Sequence, residues 1–332
     1  MRKIIMFVIC AVFAGIFFAN AQITLKFNEN KKFKIVQFTD VHYISGDARS
    51  DVALENIKEI LDVEKPDFVI LTGDIVFEKP AGKGLREVLG IVSDRKIPFG
   101  VTFGNHDDEH ELTREQLFGF VKDMPYNMTS ANPQITGVTN YILPVMSSVN
   151  DKPAFLLYCF DSNAYSTIED VKGYGYIHFD QIEWYRGQSA LYTKNNGGEP
   201  VSSVAFFHIP LPEYNQAAAN ENAIMTGTRK EKACAPELNT GMFTAIKEMG
   251  DIMATFVGHD HDNDYAVQWH GIMLAYGRFS GGNTVYNNLK PNGARVIEIT
   301  EGEKGFRTWI RLRGGNVIHD IIYPDFFLKE KD

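Results

Sequence analysis

The stretch VTFGNHDDEH, residues 101–110, decides how this chain is read. An apolar run, Val101–Thr102–Phe103, stops at Gly104 and is followed directly by Asn105, His106, Asp107 and Asp108. Buried strands usually end in turn residues. Four successive groups able to bind a metal or a proton put chemistry at a strand end instead. The same ending recurs along the chain. FKIVQF (33–38) leads to Asp40 and His42, and DFVILT (67–72) leads to Gly73–Asp74. SSVAFF (202–207) leads to His208, and IMATFV (252–257) leads to Gly258–His259–Asp260–His261.

Between the first three runs lie helical patterns. DVALENIKEILDVE (51–64) spaces Val52, Ile57, Ile60 and Leu61 at roughly helical period, and Pro66 closes it. GLREVLGIVSDR (84–95) fills the next gap. Alternating strands and helices predict a parallel sheet with crossover helices, whose ligand sites form at the carboxyl ends of the strands. Topology would therefore gather polar endings that are far apart in sequence.

Farther along, TNYILPVM (139–146), AFLLYCFDS (154–162), VQWHGIMLAY (267–276), ARVIEIT (294–300) and FRTWIRLR (306–313) are strand-like with shorter links. They suggest antiparallel strands in a second sheet or the second half of a sandwich. DQIEWYRGQSALYTK (180–194) reads as a helix with Asp180 as its N-cap, and PELNTGMFTAIKEMG (236–250) as another ended by Gly250. The intervening stretch, 215–236, reads as a long loop of the kind that borders a site. Without a Pro/Gly/Ser-rich linker or a repeat, residues 22–332 read as one domain.

The first 21 residues read separately. Arg2 and Lys3, the apolar Ile4–Phe18 and the triplet Ala19–Asn20–Ala21 match a signal peptide cleaved before Gln22. The expectation is an exported protein, periplasmic or secreted, with no membrane insertion after cleavage. Loss of Arg2 and Lys3 would take the formal net charge from −9 to −11. With no Lys/Arg block, that charge argues against nucleic acid as a partner. Of the two remaining cysteines, Cys159 and Cys234 could pair, but Cys159 in FLLYCF reads equally well as a buried thiol.

Each ending alone is weak, since a lone His near a strand end is usually a satisfied polar residue. The ordered set D-x-H, G-D, G-N-H-D, H and G-H-x-H is far more specific. Carboxylate, imidazole and amide donors suit Mn, Fe or Zn, and a bridging carboxylate can hold two ions for phosphate ester hydrolysis. A calcium loop over Asp260–Asp264 is excluded, because its glycine position falls on Tyr265 and its bidentate acid position on Gly271.

With these motifs the sequence resembles the calcineurin-like metallophosphoesterases, from Asp40 through His261. The resemblance implies an α/β fold, a four-layer αββα sandwich of two mixed sheets with a dinuclear centre at the strand ends. It implies Asp40, His42, Asp74 and His261 around one divalent ion. Asp74, Asn105, His208 and His259 would surround the other, so that Asp74 bridges. His106 would assist the leaving group, with Asp107 orienting it. Purple acid phosphatases carry Gly where this chain has His42, and a tyrosine ligand where it has Phe77. FFHIPLPEY (206–214) and YGRFSGG (276–282) look similar to the branch labelled inactive purple acid phosphatase homologues. Asn163 and Arg278 are candidate substrate contacts, Arg278 equally well a structural ion pair. The implied activity is hydrolysis of small phosphate esters by a water activated at the metal pair. The rivals are a cyclic-nucleotide-type phosphodiesterase and a metal-binding protein without turnover.

Overall fold

The structure is a computed structural model, and it describes residues 23–328. The expected signal peptide lies outside the described residues, among which no helix is long and apolar enough to cross a membrane.

The strands are β1 (Leu25–Lys26), β2 (Lys32–Phe38), β3 (Phe68–Thr72), β4 (Phe99–Thr102), β5 (Tyr141–Met146), β6 (Pro153–Cys159) and β7 (Ser203–Phe206). They continue as β8 (Met225–Thr226), β9 (Ile252–Val257), β10 (Ala266–Trp269), β11 (Ile272–Tyr276), β12 (Gly293–Thr300), β13 (Phe306–Leu312) and β14 (Val317–Tyr323). The helices are α1 (Asp51–Glu64), α2 (Ala81–Asp94), α3 (Arg114–Val121), α4 (Phe179–Asn195), α5 (Glu213–Ala218) and α6 (Met242–Met249).

Two mixed sheets result. One runs β14-β13-β12-β2-β3-β4 and the other β1-β5-β6-β7-β9-β11-β10-β8. Strand β2 explains why they stack. Phe33 and Ile35 point into the layer between the sheets, against Leu157, Phe206 and Phe256 of the second sheet. Val36 and Phe38 point the other way, onto Ile57 and Ile60 of α1 and Leu85 and Val88 of α2. On the outer face of the second sheet, Tyr158 and Ala205 pack under Tyr185 of α4 and Ile246 of α6. The result is the four-layer αββα sandwich. Both faces of each central strand are covered, so these strands read as continuous apolar runs and not as alternating ones.

The expected antiparallel pairs form between β5 and β6, β10 and β11, and β12 and β13, but the second sheet is mixed. Strands β6, β7, β9 and β11 are parallel neighbours, and the antiparallel β12–β14 extend the first sheet instead. Helices α4 and α6 supply the crossovers that return the chain to the same edge. VQWHGIMLAY is two strands, not one. His270 (φ 47°) and Gly271 (φ 80°) form the tight turn between β10 and β11, a left-handed pair that matches hairpin twist. The N-cap of α4 is His178, boxed with Gln181, and not Asp180. Asp180 turns aside to accept from the N–H and hydroxyl of Thr136. The long loop after His208 contains α5 and the short β8. Cys159 and Cys234 are both free; Cys159 is buried between the sheets, and burial pushes its thiol up to about 12.

Candidate metal centre

The carboxyl ends of β2, β3 and β4 in one sheet, and of β7 and β9 in the other, open at the same rim. Gln37 joins the sheets just beneath it, donating to Thr72 Oγ1 (2.9 Å) and to the carbonyl of Val257 (3.1 Å). Above this tie the polar endings meet. Asp40, His42 and His261 form one buried triad, and Asp74, His208 and His259 a second.

Tight backbone turns aim these side chains. Asp40, His42, Asp74 and His259 all have positive φ (54°, 44°, 50° and 80°), a conformation non-glycine residues adopt at a cost. Strain concentrated in four of the candidate ligands marks a site over-determined by its surroundings. Two glycines make the approach possible. A Cβ on Gly104 would lie 2.2 Å from Asp74 Oδ1, and one on Gly258 would lie 1.8 Å from Thr39 Oγ1. The glycines of G-N-H-D and G-H-x-H are therefore required by packing of one loop against the next.

The donor set fits cations. His42 Nε2 and His261 Nε2 face each other at 3.0 Å, and His259 Nδ1 and His208 Nε2 at 3.3 Å. Asp74 Oδ2 stands 3.1 Å from His208 Nε2 and 3.6 Å from His42 Nε2, so a single carboxylate oxygen faces both triads. Asn105 Oδ1 is buried with no hydrogen-bond partner, while its Nδ2 donates to Tyr165 (3.3 Å). Lone pairs converging in a buried space without protons to pair them are stabilised by a divalent ion.

The electrostatics run the same way. Burial holds the imidazoles of His42 and His259 well below their ordinary range, which keeps them neutral donors. Burial pushes the Asp40 carboxyl up, against His208 and His261. Burial would raise Asp74 as well, but His208, followed by His42 and His106, holds it well below the carboxylate range. His208 shows the reverse balance: burial lowers it, yet Asp74 lifts it to about 9. Its Nδ1 is fixed on the carbonyl of Thr72 at 2.8 Å.

His106 stands beside the triads, with a side chain 30% exposed and its backbone N–H donated to Asp74 Oδ1 (2.8 Å). Its imidazole does not meet Asp107. Asp107 is spent on the backbone, accepting from Ile75 N (2.7 Å), Val76 N (3.0 Å) and Gly104 N (2.8 Å). It ties the Asp74 turn to the Asn105 turn, and burial followed by the Asp74 charge pushes it up to about 7. The partner of His106 Nδ1 is Glu109, which the sequence reading missed. The signal was present, three residues on within the same quoted stretch.

The two candidate substrate contacts are placed differently from their expected role. Arg278 is buried (3% exposed), paired with Asp264 Oδ2 at 2.5 Å and donating to the carbonyl of Pro291. Asn163 donates to the carbonyl of Tyr176 (2.8 Å) and to Gln181 Oε1 (3.2 Å), closing its own loop. Tyr214 is wholly buried and its hydroxyl meets Thr255. Truncating Arg278 would leave the Asp264 carboxylate buried and unpaired. Arg278→Ala is therefore expected to lose about 3–5 kcal/mol in denaturant unfolding, with KM little changed. Unchanged stability with a raised KM would return Arg278 to the substrate.

Comparison with known proteins agrees with this geometry. The model of the family described as calcineurin-like phosphoesterase matches residues 33–263, the span that holds both triads. The chain belongs to that family. It is 30% identical to the Arabidopsis thaliana protein named probable inactive purple acid phosphatase 14, over 90% of this chain and 84% of that one. It is 33% identical to phosphatase DCR2 of Saccharomyces cerevisiae, over 87% of this chain and 55% of that one. Among solved structures, a dimetal phosphatase from Danio rerio superposes with a TM-score of 0.60 at 13% identity, covering 87% of this chain and 98% of the other. The yellow lupin purple acid phosphatase PPD1 superposes with a TM-score of 0.51 at 13% identity, over 91% of this chain and 56% of that one. These two structures share the fold.

Proposed function

We propose that this calcineurin-like phosphoesterase is an active, exported hydrolase of small phosphate monoesters that uses two divalent ions (Mn, Fe or Zn). The observation that carries this reading is the pairing of His106 with Glu109 beside two buried triads, the Asp74 carboxylate of one also standing 3.6 Å from His42 of the other. A site built only to hold metal has no use for a partly exposed imidazole outside the ligand set and oriented by a carboxylate. Two cations held by Asp40, His42, Asp74, Asn105, His208, His259 and His261 would offset phosphoryl charge and lower the pKa of an attacking water.

The chain's own residues supply the rest. Glu109 fixes His106 through Nδ1, leaving Nε2 to carry a proton toward the substrate. As water oxygen bonds to phosphorus and the bond to the alcohol oxygen breaks, that proton passes to the departing oxygen. Phe77 lies edge-on to both His42 and His106, with centroids 5.4 Å apart in each case, where a purple enzyme needs a tyrosinate. The iron-loaded protein would therefore lack the visible charge-transfer band of a tyrosinate–iron bond, and a strong purple colour would contradict this. The word "inactive" in a relative's name is said of that relative; here every ligand position carries a donor.

The test is a panel of phosphate monoesters, diesters and pyrophosphate, assayed after metal removal with Mn, Fe, Zn or Ca restored in turn. Monoester hydrolysis restored by a transition ion and not by Ca is expected. Turnover of bis-p-nitrophenyl phosphate far above the monoester would favour the phosphodiesterase reading, and no turnover of any ester the metal-binding one.

Glu109→Gln keeps the size of the side chain but removes the charge that orients His106. A fall in kcat of about 10-fold is expected, with both ions retained, as for other groups that position a reacting one. An unchanged kcat would remove Glu109 from the machinery. Export is the part of the proposal that rests on sequence alone. Mass spectrometry of protein from its native host should place the N-terminus at Gln22; a chain retaining Met1 would contradict it.

A further inference from the structure

Three tyrosines that belong to none of the five strand-end motifs converge on the ligand residues. Tyr165 accepts from Asn105 Nδ2 and donates to Glu109 Oε1, both at 3.3 Å. Tyr174 sets its ring perpendicular to His259, with centroids 4.2 Å apart. Tyr286 stacks on His261 at 4.5 Å, and its carbonyl accepts from His261 Nδ1 at 2.8 Å. Tyr165 and Tyr174 face each other across a bridge within one loop and stack at 5.8 Å. Loop and stack hold Tyr165 in place, yet the residue stays 45% exposed, and Tyr286 is 55% exposed. Large aromatic area left open at the mouth of a polar site is area for a ligand to cover.

Charge narrows that ligand. Among the described residues, no lysine or arginine makes an ion pair or side-chain hydrogen bond with the seven ligands, His106, Glu109 or these tyrosines. The anionic neighbours are Glu109, beside His106 and Tyr165, and Glu231, which accepts from the Tyr286 hydroxyl (3.1 Å). An organic group carrying its own negative charge would meet Glu109 and Glu231, neither of which makes an ion pair with a lysine or arginine among the described residues.

We propose that Tyr165, Tyr174 and Tyr286 form an aromatic collar that selects phosphate esters whose organic group is a flat, uncharged ring. The inference rests on the phosphomonoesterase reading, in which that group leaves from beside His106, the position that Tyr165 flanks through Glu109. Tyr165 provides the contact surface, with Tyr174 backing one face of its ring. Tyr286 closes the opposite side, above His261.

Equilibrium binding of two non-hydrolysable probes tests this in the metal-loaded protein. Phenylphosphonate and methylphosphonate present the same anion, and only one carries a ring. Phenylphosphonate is expected to bind about three- to tenfold more tightly, the range of a favourable aromatic pair. Tyr165→Ala should bring the ratio of the two affinities toward one, whereas Tyr165→Phe, which keeps the ring, should preserve it. Metal content measured alongside separates loss of the ring contact from loosening of Asn105. A carboxylate added to the phenyl probe should cancel its advantage. Equal affinities in the unmodified protein, or a ratio unmoved by Tyr165→Ala, would overturn the collar even if phosphate esters are turned over. Ring-selective binding without turnover would leave the collar standing and overturn the hydrolase reading alone. Failure of both probes to bind would overturn both.

Discussion

Asp74→Asn is expected to strip both cations from the protein together and to lower turnover by on the order of 10⁴-fold or more. The substitution keeps the shape of the side chain and removes its charge. Asp74 Oδ2 is the atom that lies within 3.6 Å of His42 on one side and 3.1 Å of His208 on the other. Both triads therefore lose the same anion at once. His208 loses the neighbour that lifts it to about 9, and two cations held at the triads would repel each other without the Asp74 carboxylate between them. His42→Ala should behave differently, because Asp74, His208 and His259 remain as a set; one ion should weaken and the other stay. Metal analysis of the two variants separates the cases. Two ions retained in Asp74→Asn would show that the triads are independent and that Asp74 does not bridge. Gly104→Ala should mimic the loss, since its Cβ would occupy the place of Asp74 Oδ1.

The candidate ligands were legible in the sequence because their positions are set by topology. An apolar run with both faces covered is a central strand, central parallel strands share an exit edge, and polar groups at that edge must meet. Asp40, Asp74, Asn105, His208 and His259 all stand within three residues of such a run, so no side-chain geometry was needed to group them. Residues a few positions farther past a run were less legible. Asp107 and Glu109 are both acids near His106, and sequence gives no means to say which one an imidazole will reach. The turn after Gly104 aims Asp107 back at three backbone amides and leaves Glu109 for His106.

Arg278 was ambiguous for a related reason. An arginine in a glycine-rich turn suits a phosphate as well as a carboxylate, and its partner Asp264 comes from the segment that also carries His259 and His261. Only the packing of that segment against β12 shows which it meets. The collar tyrosines lie in irregular loops with no period to mark them. The parallel order of β6, β7, β9 and β11 was hidden because periodicity identifies strands but not their direction. Helices α4 and α6 are legible as helices, yet only their packing on the outer face of the sheet makes them the crossovers that fix that direction.

His106→Ala is expected to keep both ions and lose about 10²–10⁴-fold in kcat, the contribution typical of a positioned proton donor. The ions should remain because no ligand is touched: Asp74 Oδ1 is held by the backbone N–H of residue 106, which alanine also provides. The loss should depend on the departing group. An alkyl alcohol leaves as a strongly basic oxygen and needs a proton as the bond breaks, whereas p-nitrophenolate departs well without one. This dependence is the most direct test of the central claim, that the site is a working phosphoesterase in which His106 and Glu109 act on the leaving group. The measurement is kcat of the metal-loaded protein and of His106→Ala on an alkyl phosphate and on p-nitrophenyl phosphate, with bound ions counted in the same samples. The account predicts two ions in both proteins and a much larger loss on the alkyl ester. An equal loss on both esters, or no loss on either, would contradict it.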